Sequence, residues 1–150
     1  MPTSGHPRHP RVTGPARPPL DPVLLDLARD ERVHNAGTRL ADFGRINVAV
    51  ARVRVGKAVE YLAAGNLPHG EGGVHSEEYL VSQIEALRAP GRLVLLEQLY
   101  SERRPCPSVC RPLLQAYWPS AAVFYSVGWF PLRPFHRSKA EQLRSAWGLG

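Results

Sequence analysis

The sequence has no long hydrophobic run, only two lysines and only two cysteines. No apolar stretch approaches the roughly 18 residues of a membrane-spanning helix, and the N-terminus lacks the apolar core of a signal peptide. We therefore expect neither a membrane span nor a secretory leader. Two cysteines four positions apart cannot staple a disulfide scaffold, and a bridge across so short a loop would be strained. This favours metal or thiol chemistry.

The residues that are present suffice for one compact domain. Of the 150 residues, 43% are hydrophobic and 21% are charged, which is typical of a globular protein and excludes a highly charged disordered chain. The formal net charge is +6, carried by 17 arginines and two lysines. Arginine makes planar, bidentate contacts with phosphate. Because biased codon usage also enriches arginine, this charge alone is weak support for a nucleic-acid partner.

The first 20 residues differ in composition from the rest of the chain. They contain six prolines and three arginines but no acidic residue. Such a segment buries too little apolar surface to offset the entropy that ordering it would cost. We predict a disordered linker or tail over 1–20 and one domain over 21–150. The tail then carries half of the net charge, which weakens the case for nucleic-acid binding by the domain.

Hydrophobic periodicity predicts alternating helices and strands. Asp21 and Pro22 suit an N-cap and a first helical turn, and Leu80, Ile84 and Leu87 recur at helical spacing. The predicted elements are a helix at 22–31, a mixed connection at 34–43, strands at 46–55 and 59–64 joined by a tight turn at Gly56-Lys57, a loop at 65–73, a helix at 75–87, a strand at 93–100, a helix at 105–117 with an irregular start, a strand at 121–127, a loop at 128–136, and a helix capped by Ser138 and ending near Trp147. This order predicts an α/β fold with an antiparallel opening hairpin and parallel pairing of the later strands.

Three side chains that bind metals well lie at the starts of two predicted helices. His75 precedes one helix, and Cys106 and Cys110 begin the next, with one strand between them. One imidazole and two thiolates suit zinc and leave a fourth position for water, as in catalytic zinc sites. The spacing places both cysteines on one helix face, where the helix N-terminus favours thiolates. Glu77 is close enough to take a proton from that water without binding the metal.

The order of these residues is the H-x-E…P-C signature of zinc-dependent base deaminases. The sequence resembles the cytidine-deaminase-like superfamily and, more narrowly, the nucleic acid/nucleotide deaminase domains of bacterial polymorphic toxins. The segments that carry the narrower resemblance are INVAVARV, GVHSEEYLVSQI, LYSERRPCPSVC and VFYSV, between about 45 and 127. The sequence departs from the family in its C-x-x-x-C spacing, where C-x-x-C is common, and in having four predicted strands where five are usual.

The resemblance implies a cytidine deaminase-like, three-layer α/β/α fold with a mixed four- or five-stranded sheet. It implies a hydrolytic deaminase with Zn²⁺ held by His75, Cys106 and Cys110 and with Glu77 as the catalytic proton shuttle. It also implies a set of substrate contacts, for each of which an ordinary structural role is the alternative. These are Asn47 on the sugar, Val74 in the pocket wall, Ser101, Arg103 and Arg104 beside the target nucleotide, and Trp129 and Phe130 stacked on the neighbouring base.

The same resemblance implies conversion of cytosine to uracil in single- or double-stranded DNA. Adenine, RNA bases and free cytidine nucleotides are alternative substrates, and a non-catalytic, zinc-supported nucleic-acid-binding module is an alternative function. The resemblance further implies the toxin domain of a bacterial polymorphic toxin, delivered into the cytoplasm of a target cell. We expect a monomer, with an immunity protein as its partner in the producing cell.

Overall fold

A computed structural model describes residues 9–65, 75–88, 91–117, 121–128 and 137–149. The described residues form an α/β fold around one mixed, four-stranded sheet with the strand order β2-β1-β3-β4. The strands are β1 Val48–Val55, β2 Ala58–Gly65, β3 Val94–Arg103 and β4 Ala122–Val127. β1 is antiparallel to both β2 and β3, whereas β3 and β4 are parallel. The predicted hairpin and the predicted parallel pairing are both confirmed.

Within the described ranges, five α-helices flank the sheet. They are α1 Pro22–Glu31, α2 Leu40–Arg45, α3 Ser76–Leu87, α4 Cys110–Gln115 and α5 Arg137–Ala146. The side chain of Asp21 caps α1 by accepting a hydrogen bond of 3.0 Å from the backbone N–H of Val23, as predicted. Gly56 adopts a positive φ of 60° in the predicted turn between β1 and β2. None of the described helices is long and apolar enough to cross a membrane.

Alternate residues of β1 pack into two apolar clusters on opposite faces of the sheet. Ala49, Ala51 and Val53 contact a cluster that includes residues of α3 and α4. Val48 and Val50 contact a second cluster, formed with α1, α2 and α5. Because successive side chains of a strand point to opposite faces, the valine-rich run of β1 supplies both clusters. The fold is therefore the three-layer α/β/α arrangement that the resemblance implied, with four strands among the described residues.

Part of the segment that was predicted to be a tail, residues 9–20, lies against the sheet. The backbones of Thr13 and Tyr125 form a two-hydrogen-bond antiparallel bridge of 2.7 and 2.9 Å at the outer edge of β4. Gly14 lies so close to Phe124 that an added Cβ would overlap its ring. The side chain of Gln98 donates a hydrogen bond of 2.9 Å to the carbonyl of Pro19. A proline-rich strand needs few backbone partners, so this segment can lie along a sheet edge. Residues 1–8 lie outside the described residues.

Two helix predictions need correction. The connection predicted at 34–43 contains a π-helical turn, Arg32–Ala36, and the start of α2. This helix is six residues long, too short for a clear periodicity. The helix predicted from residue 105 begins only at Cys110, because a proline disfavours helical backbone at the residue before it and Pro107 acts on Cys106.

At the last helix, Ser138 lies inside α5 and not at its cap, while Gly148, with φ 75°, follows its end as predicted. Gly65 belongs to β2. The loops predicted at 65–73 and 128–136 otherwise lie almost wholly outside the described residues.

A fully buried ion pair connects β3 to the helices on the α1 face. The guanidinium of Arg32 donates two hydrogen bonds to the carboxylate of Glu102, and both side chains have zero exposure. Glu102 also accepts hydrogen bonds from the indole N–H of Trp147 at 2.8 Å and from the backbone N–H of Val48 at 3.0 Å. Arg32 lies 4.1 Å from the centroid of the Phe43 ring. One carboxylate therefore joins the π-helical turn that follows α1, the residue that follows α5, and strands β1 and β3.

We predict that Glu102→Ala strongly destabilises the domain, because it leaves a buried guanidinium without its counter-ion. The expected loss is about 3–5 kcal/mol of unfolding free energy, measured by urea denaturation. Glu141→Ala is the control, since its exposed pair with Arg137 is worth about 0.3–0.5 kcal/mol. A loss from Glu102→Ala no larger than that of the control would contradict this account.

Candidate metal centre and active site

The fold brings the start of α3 and the segment after β3 together. His75 is the N-cap residue of α3 with extended backbone (φ −84°, ψ 155°), and its side chain makes no capping hydrogen bond. Glu77 lies in the first turn of the same helix. After β3 ends at Arg103, the chain turns through Pro105 and Cys106 before α4 begins. Packing of α3 and α4 on one face of the sheet holds the two segments side by side.

His75, Cys106 and Cys110 form one cluster, as the sequence predicts. Their candidate ligand atoms all lie within 4.8 Å of one another. Nδ1 of His75 is 3.5 Å from Sγ of Cys106 and 3.2 Å from Sγ of Cys110. Three donors that converge from separate elements can hold one metal ion. Imidazole and thiolate donors are the set that zinc prefers, so the residues fit that ion.

The two cysteines do not share one helix face, as the sequence had predicted. Only Cys110 belongs to α4, while Cys106 lies in the turn before it. The backbone N–H of Cys110 donates a hydrogen bond of 3.2 Å to Sγ of Cys106, and the N–H of Arg111 donates one of 2.9 Å to the carbonyl of Cys106. The extra residue in C-x-x-x-C is accommodated by this turn, and both sulfurs still face Nδ1 of His75.

The electrostatics of Cys110 are opposite to the sequence-based expectation. Burial raises the pKa of its thiol, and the nearby negative charges of Glu77 and Cys106 raise that pKa further. The short helix that begins at Cys110 does not outweigh these effects. A thiolate at this position therefore requires a cation that displaces the proton, and binding of a metal ion couples to release of that proton.

Glu77 is buried beside the cluster and is held at both carboxylate oxygens. The hydroxyl of Ser101 donates a hydrogen bond of 2.9 Å to Oε1, and that of Ser76 donates one of 3.1 Å to Oε2. Sγ of Cys110 lies 3.3 Å from Oε2. Only 3% of the Glu77 residue is exposed. The carboxylate is thus fixed next to the three metal-binding side chains without belonging to their set.

Asn47 supports both serines from the sequence position just before β1. Its amide Nδ2 donates to the hydroxyl oxygens of Ser76 and Ser101 at 2.8 and 2.9 Å, and it lies 3.3 Å from Oε1 of Glu77. Its Oδ1 accepts a hydrogen bond of 3.1 Å from the backbone N–H of Arg103. This orienting role was missed in the sequence, where the only signal was a polar residue beginning an apolar strand. Contact of Asn47 with a sugar stays a prediction.

The remaining candidate contacts differ in their placement. Arg103 is 4% exposed, and burial lowers its pKa to about 10, whereas a phosphate contact requires an accessible guanidinium. Arg104 is exposed and lies 5.8 Å from the centroid of the Tyr125 ring. Ser101 is fully buried against Glu77, so a direct contact with a nucleotide stays a prediction. Val74, Trp129 and Phe130 lie outside the described residues.

Comparison with protein families identifies the family of this chain. The family model described as Xanthomonas-like deaminase matches residues 44–145, which is about two thirds of the chain and includes the whole cluster. The chain belongs to this family. The match confirms the resemblance to the cytidine-deaminase-like superfamily, and the chain is a deaminase domain with a candidate metal site of one histidine and two cysteines. Comparison with curated proteins gave no match.

We predict that this deaminase binds one zinc ion per chain and that the cluster accounts for it. Cys106→Ser and Cys110→Ser each remove a thiolate and should reduce bound zinc, measured by elemental analysis after dialysis, to well below one equivalent. Ser108→Ala lies in the exposed part of the same turn and should keep the full equivalent. Full zinc occupancy in both cysteine variants would exclude this cluster as the site.

Proposed function

We propose that this domain is a zinc-dependent hydrolytic deaminase that converts cytosine to uracil in DNA. The observation that carries the proposal is the position of Glu77, which is buried, hydrogen-bonded at both oxygens and adjacent to the His75, Cys106 and Cys110 cluster. A general acid–base group must be held within reach of the reacting atoms. Membership of a deaminase family supports the same reaction class.

The metal and the carboxylate have separate tasks. His75, Cys106 and Cys110 would hold zinc, which supplies Lewis acidity that brings the pKa of water to about 7. Two thiolates and a neutral imidazole give the set a negative charge, which a dication neutralises. The chain's own residues perform the proton transfers and orient the reacting groups.

Glu77 moves protons in both halves of the reaction. It accepts a proton from the attacking water while the water oxygen bonds to C4 of cytosine, and it passes a proton to the ring nitrogen N3. It then carries the second proton from the added oxygen to the exocyclic amine. The bond between C4 and that nitrogen breaks, ammonia leaves, and one water molecule has been consumed. The product is uracil.

Ser76, Ser101 and Asn47 act as positioning residues for this shuttle. Hydroxyl donors at both oxygens limit rotation of the carboxylate, and the single amide of Asn47 holds both hydroxyls. Burial of the group keeps bulk water from competing for the proton. The proton therefore passes between fixed positions, which lowers the cost of reaching the transition state.

The biological setting is also part of the proposal. The resemblance of INVAVARV, HSEEYLVSQI and LYSERRPCPSVC to the deaminase domains of polymorphic toxins supports a toxin role. Delivery to the cytoplasm of a target cell and neutralisation by an immunity protein follow from that role. RNA bases, adenine, free cytidine nucleotides and non-catalytic nucleic-acid binding are the alternatives that the assay below distinguishes.

The decisive experiment is sequencing of single-stranded DNA, double-stranded DNA and RNA after incubation with the zinc-loaded protein, with release of ammonia from free cytidine nucleotides measured in parallel. We expect cytosine-to-thymine changes in the reads, reduced by about 10²–10⁴-fold in Glu77→Gln, which is the usual contribution of a positioned acid–base group. Glu78→Gln is the matched control, because this neighbour is part-exposed on α3 and should remain active. Edited adenines, edited RNA or turnover of free cytidine alone would replace the substrate assignment, and equal activity of Glu77→Gln would overturn the mechanism.

Ser101→Ala tests the positioning of Glu77. Loss of a hydrogen bond to a charged group costs about 1.5–3 kcal/mol, so we expect kcat to fall by about tenfold or more while KM changes little. Zinc content should stay at one equivalent. Ser126→Ala is the control, since this strand hydroxyl bonds to Tyr100 instead. A fall in zinc content or in thermal stability that accounts for the lost activity would show a merely structural role for Ser101.

A further inference from the structure

A groove runs along the outer edge of β4. It has a volume of about 800 Å³ and lies between the segment 15–18 on one side and α4 on the other. This volume is within the range of about 300–1000 Å³ that is usual for ligand sites. The polar groups that line it include Arg17, Arg104 and Arg111, all of them exposed.

The charge in this groove is positive and is not neutralised within it. Glu97 also lines the groove, but its carboxylate already accepts hydrogen bonds from Arg52 at 3.2 Å and from Arg54 at 3.0 Å. In the part of the chain that the structure describes, no acidic side chain forms an ion pair with Arg17, Arg104 or Arg111. The groove therefore presents three guanidinium groups to solvent.

The groove is adjacent in the chain to both cysteines of the candidate metal centre. Arg104 and Pro105 directly precede Cys106, and Arg111 directly follows Cys110. The other wall comes from a distant part of the sequence, because Thr13 pairs with Tyr125 and thereby holds the segment that carries Arg17 against β4. Arg17 therefore joins Arg104 and Arg111 at the groove because of tertiary structure and not because of sequence proximity.

We propose that this groove binds the sugar-phosphate backbone of a nucleic-acid strand whose target base enters the neighbouring site. Arginine forks match phosphate oxygens in a bidentate geometry, and the Arg104 guanidinium lies over the Tyr125 ring, 5.8 Å from its centroid, at the same groove. Three separated guanidiniums match a polymer with repeated phosphates better than one mononucleotide. This inference rests on the proposed function, and it makes Arg17, Arg104 and Arg111 the strand-binding residues.

The test measures binding without turnover. The zinc-loaded full chain carrying Glu77→Gln is titrated against a fluorescently labelled 15-nucleotide oligothymidylate, which contains no cytosine, and anisotropy gives Kd at several salt concentrations. Arg17→Gln, Arg104→Gln and Arg111→Gln should each weaken binding at least threefold. Each should reduce the slope of log K against log salt by about 0.7, the value for one phosphate contact on a single strand. Arg92→Gln is the control, since this exposed residue lies outside the groove.

Three outcomes would overturn the proposal. The first is that the groove variants bind the oligonucleotide as tightly as the control. The second is that they lose affinity for 5′-dCMP but not for the oligonucleotide, which assigns the groove to a mononucleotide. The third is that the groove variants lose affinity for a polyglutamate peptide but keep their affinity for the oligonucleotide, which assigns the groove to an acidic protein.

Failure of the proposed function is seen separately, in the sequencing assay with the Glu77-containing protein. If the protein is inactive but its affinity for the oligonucleotide still depends on the three arginines, the groove proposal stands and the proposed deaminase substrate is rejected. Edited DNA together with binding that does not depend on these arginines would support the deaminase substrate and reject the groove as the strand-binding site. Circular dichroism melting of each variant excludes loss of affinity by unfolding.

Discussion

The buried contact between Arg32 and Glu102 holds the helical layer of α1, α2 and α5 to the end of β3. Taking a guanidinium and a carboxylate out of water is costly, so the pair is stable only with near-complete hydrogen bonding. Arg32 meets this demand by also donating to the carbonyl of Ile46 at 2.6 Å, and Glu102 by also accepting from Trp147 and Val48. The position of β3 relative to the start of β1 is fixed by this arrangement.

The same strand end supplies the candidate active site. Because side chains alternate across a strand, Ser101 faces α3 and Glu77 while Glu102 faces the ion pair on the opposite side. The start of β1 is divided in the same way between the two faces. Asn47, just before the strand, donates hydrogen bonds to the two serines, whereas the N–H of Val48 donates one to Glu102. The position of Ser101, which orients the proposed proton shuttle Glu77, is thus linked to a buried charge pair that begins one residue away, on the other face of the sheet.

Local patterns in the sequence predicted most of the strands and the long helices, and motif spacing predicted the metal-binding cluster. Three of these patterns depend only on residues that are close in the sequence, so they can be recognised without the fold. They are the apolar run after Asn47, the Asp21 cap and the H-x-E segment. The hydrogen-bond partners of Glu102 and of Asn47 cannot be recognised in this way, because Arg32 and Glu102 are 70 positions apart in the sequence and Asn47 and Ser101 are 54 apart. Helix α2 is held by tertiary contacts and is too short to show a periodicity.

The segment 9–20 has long-range contacts that its composition does not indicate. Its prolines exclude it from a regular central strand, but an open strand edge needs to be covered, and one bridge at Thr13 is compatible with such a sequence. Between that bridge and the contact of Pro19 with Gln98, Pro15, Arg17 and Pro18 line the groove beside β4. Arg104 and Arg111 line the same groove, so this segment adds a third arginine to it. The N-terminal segment therefore supplies one wall and one arginine of the basic groove, which this deaminase has next in sequence to the two cysteines of its candidate metal site.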